Sequence, residues 1–217
     1  MASKQWLVED YEAGDLPLTS GETLRYARLR YHRIGELNAP KDNLIMLPTY
    51  YGGAAAGNHP WVRGNSPLDP DRYCIVIPAL LGAGESSSPS NTAGAQGGPG
   101  FPAVSLYDNV MLQKRLVEDV FGDARIALVM GWSMGGMQAL QRGCLFPTQV
   151  RAVLATCCTA RCYPHNLSLL HICRCRRAPP GLARGRRRWC IFARPWPDAT
   201  GQRNASRPLV SVRLALV

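Results

Sequence analysis

The 217-residue sequence predicts an α/β fold, a mostly parallel sheet with flanking helices. Three observations carry that expectation. Runs that are apolar at nearly every position, as strands covered on both faces are, occur at NLIMLP (43–48), YCIVIP (73–78), RIALVMG (125–131) and RAVLATC (151–157). Two segments of helical period separate the later runs, so the order is strand, helix, strand, helix, strand. A composition of 46% apolar and 18% charged residues belongs to a chain that buries a core.

Taken in order, TLRYARLRYHRI (23–34) alternates bulky and polar side chains, the period of a half-exposed strand. GAGESSSPSNTAGAQGGPGFP (82–102) is rich in Gly, Ser and Pro and predicts a long flexible loop. Its glycines match neither phosphate-binding pattern: G-x-x-x-x-G-K-[ST] is absent, and no G-x-G-x-x-G opens a helix after a strand. SLYDNVMLQKRLVEDVFG (105–122) predicts an amphipathic crossover helix, with Ser105 as cap, Asp108 three residues on and Gly122 as stop. Val110, Leu116, Val117 and Val120 mark its apolar face. MGGMQALQRGCLF (134–146) predicts a second helix, ended by Pro147.

The net charge of +10 is not spread along the chain. Residues 1–166 hold 14 basic and 14 acidic side chains, whereas residues 167–217 hold 11 Arg, no Lys and the single acid Asp198. This divides the chain into a partial α/β domain (1–166) and an arginine-rich tail (167–217), non-native or disordered, without strand periodicity before its last seven residues. Arg without Lys, with Pro, Cys, Ala and Gly, resembles a GC-rich coding sequence read out of frame. The other reading is an arm that binds polyanions, which would make the chain a non-catalytic binding protein. A neutral domain with no basic face continuing the tail argues against a nucleic-acid partner.

No apolar run approaches the roughly 18 residues of a membrane span, and the N-terminus carries acids where a secretory signal has an apolar core. A soluble cytoplasmic protein with no membrane partner is expected. Eight irregularly spaced cysteines read as reduced thiols. Cys162, His165, His171, Cys173 and Cys175 have zinc-ligand types but lack paired C-x2-C spacing, so no metal site is expected.

The chemistry centres on Gly131-Trp132-Ser133-Met134-Gly135, a G-x-S-x-G between a strand and a helix. Glycines at these positions let the backbone make a sharp turn that lifts a serine hydroxyl above the sheet. An oxyanion hole at such a turn uses the N–H of the next residue, Met134, and one from the loop after an earlier strand. PTYYGG (48–53) suits that role with Tyr50 as donor, because Pro48 has no N–H.

With these residues in place, the chain resembles the α/β-hydrolase group that contains homoserine O-acetyltransferase and its hydrolase relatives. The resemblance runs over about residues 20–166, through SGETLRYARLRYHRIGELNAPKDNLIMLPTYYGG, PLDPDRYCIVIPALLGAGESSSPSN, FPAVSLYDNVMLQKRLVEDVFG, GWSMGGMQAL and VLATCCTARCYPHN. It implies a Ser-His-Asp acyl-enzyme mechanism acting on a small-molecule acyl donor and acceptor. Acetyl-CoA or another acyl-CoA would serve as co-substrate, with no bound cofactor. In the acetyltransferases homoserine is the acceptor, at the first step of methionine synthesis, and intact relatives are expected to form homodimers.

Two departures qualify it. Trp132 stands where the acetyltransferases have glycine, which is closer to the hydrolase relatives. The triad order in this fold is Ser, then Asp or Glu, then His. After Ser133 the only acid is Asp198 and no histidine follows it; His165, in the family's PHN, and His171 precede it, and His32 and His59 precede the nucleophile. The triad is incomplete in that order, which predicts an inactive chain. Loss of the sheet's final strands predicts an open edge at the fifth strand and poor stability.

Overall fold

A computed structural model describes residues 4–160 and the backbone of 214–216. Its elements are β1 (Leu7–Pro17), β2 (Thr23–Ile34), β3 (Leu44–Met46), β4 (Cys74–Pro78), α1 (Leu106–Phe121), β5 (Ile126–Trp132), α2 (Met134–Leu145), β6 (Val153–Thr156) and β7 (Leu214–Leu216). The sheet order is β1-β2-β4-β3-β5-β6-β7. Strands β4, β3, β5, β6 and β7 run parallel to one another, while β2 lies antiparallel to β4 and β1 antiparallel to β2. The α/β class expected from the apolar runs is the one observed.

Those runs are buried on both faces for the reason given by their pattern. Leu44, Met46, Val76 and Val129 point to the side covered by Leu112, Leu116 and Ala139 of the helices. Ile45, Ile75 and Ile77 alternate to the other side, under Ala55 and Leu68. Helix α1 starts on a full capping box, Ser105 Oγ accepting from the Asp108 N–H at 3.1 Å and Asp108 accepting from the Ser105 N–H at 2.7 Å. Gly122 ends it in the left-handed region at φ 60°, ψ 49°. Val110, Leu116 and Val117 are fully buried, but Val120 is exposed; Phe121 takes the core position in the last turn.

Three features differ from the sequence expectation. Strand β1 went unread because LVEDYEAGDLP is mostly acidic, yet Tyr11, Ala13 and Leu16 face the core. Its acids match the arginines of β2: Asp10 binds Arg28 at 2.7 Å and Arg30 at 2.8 Å, and Glu9 binds Arg33 at 3.1 Å. The hydrogen bond from Arg30 holds the Asp10 carboxyl below its ordinary pKa. Second, the loop 82–102 is not loose at its start: Ser86, Ser87 and Ser88 are buried. Ser86 Oγ accepts from the Arg30 N–H at 3.0 Å and Ser87 Oγ from the Arg28 N–H at 2.9 Å, pairing β2 where β4 has ended. Third, β6 is not the open edge, because the backbone of Leu214–Leu216 runs parallel to it from Val153↔Leu214 to Ala155↔Leu216.

Arg142 of α2 is fully buried and forms no ion pair with a carboxylate among the described residues. Its guanidinium reaches Gln149 Oε1 at 3.1 Å and lies over the Phe146 ring, while Nε has no partner among the described residues. Burial pushes its pKa down to about 10, so it stays charged near neutrality. Replacing it by an apolar side chain of similar length removes a desolvation penalty. Arg142→Met is expected to leave urea stability within about 1 kcal/mol or raise it, whereas Arg142→Ala opens a cavity and costs about 2–4 kcal/mol.

Trp6 stacks on His59 with ring centroids 3.9 Å apart, and His59 Nε2 lies 2.8 Å from His32 Nδ1. Burial lowers the pKa of both histidines. Each therefore binds a proton more weakly folded than unfolded, so their contribution to stability is complete above about pH 6.5 and is lost as pH falls through the lower folded values. Melting temperature is expected to drop between about pH 7 and pH 5, where carboxylates remain largely ionised, and to drop less in His59→Gln.

Candidate active site

Strand β5 is reached from β4 by a connection that skips over β3. The chain thus leaves β3 toward one side of the sheet and β5 toward the other, opening a crevice between their C-terminal ends, the usual ligand position in open α/β sheets. Ser133 directly follows β5, and residues 47–53 follow β3.

Ser133 has φ 51° and ψ −119°, a conformation costly for a residue with a Cβ. Its N–H donates to the Thr156 carbonyl at 2.9 Å, and its carbonyl accepts from the Met137 N–H at 3.1 Å, so strand β6 and helix α2 hold the turn from both sides. The surrounding glycines are sterically required. A Cβ on Gly131 would fall 2.1 Å from the Gly135 carbonyl carbon and oxygen, and one on Gly135 would fall 2.5 Å from the Pro48 oxygen. Gly136, not singled out from sequence, would meet Cys158 Sγ and the Gly131 oxygen at 2.9 Å.

Ser133 is half-buried, and its hydroxyl makes no hydrogen bond among the described residues. Met134 opens α2, so its N–H has no partner one turn back in the helix. Tyr50 accepts from the Gly53 N–H at 3.0 Å, its ring packs against Gly53, and its own N–H is unpaired among the described residues. The close approach of Pro48 and Thr49 to Gly135 brings the loop of Tyr50 to the start of α2. Trp132, beside Ser133, is 47% exposed and lines a shallow cleft with Trp61, Met130 and Thr156.

The two described histidines face each other. His165, His171, Asp198 and the cysteines 162, 173 and 175 lie outside the described residues. Among the described residues no cluster of three His, Cys, Asp or Glu side chains could hold a metal ion, and no helix is long and apolar enough to cross a membrane.

Sequence reasoning missed a buried polar chain next to the site. Gln138 Nε2 donates to the Thr49 carbonyl at 2.8 Å, and Gln113 Nε2 donates to Gln138 Oε1 at 2.7 Å. Thr49 Oγ1 accepts from the Leu80 N–H at 2.9 Å. The available signal was a glutamine on the core face of each helix, where the pattern calls for an apolar side chain.

A mostly parallel sheet whose central strand ends in a glycine-packed, strained serine at a helix N-terminus has the architecture of the α/β hydrolases. The chain belongs to the α/β hydrolase fold family, whose sequence profile matches residues 42–190. It is 38% identical over 160 residues to the ethyl acetate hydrolase of Pseudomonas veronii, covering 73% of this chain and 46% of that protein. It is 33% identical over 171 residues to the homoserine O-acetyltransferase of Zymomonas mobilis, covering 71% of this chain and 46% of that protein. Among solved structures, the acetyl esterase MekB superimposes with a TM-score of 0.74 at 36% identity, over 76% of this chain and 48% of that one. The chain thus spans about half the length of these relatives.

Proposed function

We propose that this chain carries the nucleophile and oxyanion hole of an acyl-transfer enzyme acting on small acyl esters or acyl-CoA thioesters. The observation that carries the reading is the backbone of Ser133, held in a costly conformation by glycines that leave no room for side chains. Such strain presents Oγ to a carbonyl carbon in the crevice. As Oγ adds, its proton passes to a base, and the carbonyl oxygen becomes an oxyanion held by the Met134 and Tyr50 N–H groups. Collapse expels the alcohol or thiol, and water or an acceptor alcohol then takes the acyl group from serine.

Ester hydrolase and O-acyltransferase relatives share this first half-reaction. The base is the part this chain does not supply in family order, since no histidine follows Asp198. On this reading residues 1–166 form a partial hydrolase domain with 167–217 appended, and turnover is very low. Hydrolysis of p-nitrophenyl acetate above the buffer rate should disappear in Ser133→Ala. Esterolysis that is undiminished in that variant would remove Ser133 from the role.

A further inference from the structure

Gln138 lies on α2 one turn beyond Met134 and is 1% exposed. Its Oε1 is engaged by Gln113 from α1, which turns the amide so that Nε2 faces the Thr49 carbonyl. A buried side-chain amide is costly to maintain where an apolar residue of the same size would pack, so what it holds is of interest. The carbonyl it holds belongs to the same planar trans peptide as the Tyr50 N–H. In such a unit the C=O and N–H point in opposite directions, so fixing one fixes the other.

Thr49 has two further bonds, its N–H to the Pro78 carbonyl at 3.2 Å and its Oγ1 from the Leu80 N–H. Both anchor the residue to the end of β4 without setting the rotation of the peptide that follows it. The bond from Gln138 does set it, drawing the Thr49 oxygen toward the first turn of α2, where it would stand 3.3 Å from a Cβ on Gly135. The Tyr50 N–H is thereby turned away from the helix interior and left without a partner among the described residues.

We propose that Gln138, braced by Gln113, is a positioning residue that aims the Tyr50 N–H at the oxyanion through the Thr49–Tyr50 peptide; this rests on the acyl-transfer reading of Ser133. Thr49–Tyr50 is the sole Thr-Tyr pair in the sequence, so carbonyl-¹³C threonine with ¹⁵N tyrosine isolates that peptide as one NMR signal in the full chain. In Gln138→Met, which keeps the volume and loses the donor, the signal is expected to shift or split. The rate at which a fluorophosphonate probe labels Ser133 should fall about tenfold, part of the 10²–10³ attached to losing a whole oxyanion donor.

Gln138→Glu separates aim from packing, because its carboxyl donates only while protonated. Lowering the pH through its titration should restore the unsubstituted signal and labelling rate. An unmoved Thr49–Tyr50 signal in folded Gln138→Met, or a Glu variant whose signal does not respond to pH, overturns the proposal. Labelling that survives Ser133→Ala sinks the acyl-transfer reading instead, while the NMR signal still decides whether Gln138 orients the peptide.

Discussion

Gly131→Ala is expected to destabilise the fold by about 3 kcal/mol, the upper end of what overpacking costs. The added Cβ would stand 2.1 Å from the Gly135 carbonyl carbon and oxygen. Those are backbone atoms of the first turn of α2, and they cannot rotate aside as a long side chain can. Relief requires α2 to move from β5, which breaks the contact of Gly135 with Pro48 and the bond from Gln138 to Thr49. Urea denaturation followed by circular dichroism measures the loss. Gly64→Ala is the control, since nothing lies within 4 Å of its Cβ position. It should match the parent chain or exceed it by up to about 1 kcal/mol through reduced freedom of the unfolded state. A Gly131→Ala midpoint equal to that control would mean the elbow is not packed as described.

The second large effect concerns reactivity. Removing triad members from serine hydrolases lowers rates by on the order of 10⁴ to 10⁶, leaving what the oxyanion hole alone achieves. Esterolysis by this chain is expected to fall below that of a full-length acetyl esterase, assayed side by side, by a factor in that range. An external base should recover part of it: added imidazole is expected to speed fluorophosphonate labelling of the parent chain and to do nothing in Ser133→Ala. Labelling of the parent chain that is indifferent to imidazole would indicate that a base already stands at the serine.

How much was legible in the sequence follows from how local each signal is. The elbow could be read because its requirements are contiguous: an apolar run, glycines at 131 and 135, a serine and a helical period. The cap and stop of α1 were equally local, Ser105 with Asp108 and then Gly122. Strand β1 was hidden because its partner signal is distant: its acids make sense only beside the arginines of β2, across the turn at residues 18–22. The buried serines at 86–88 look like linker composition until the unpaired N–H groups of Arg28 and Arg30 are placed beside them. Gln138 was hidden for the same reason, since its acceptor is a backbone carbonyl 89 residues away. Patterns along the chain report periodicity and turns, whereas polar satisfaction inside the core is a property of the assembled sheet.

The central proposal is that Ser133 is a nucleophile poised by its backbone, with no base in family order within residues 1–217. Peptide mapping by mass spectrometry after exposure of the intact chain to a fluorophosphonate tests it most directly. The account predicts a single slow adduct on Ser133, accelerated by imidazole and absent from Ser133→Ala. An adduct on another residue, or one on Ser133 that forms as fast as in a full-length acetyl esterase, would contradict it.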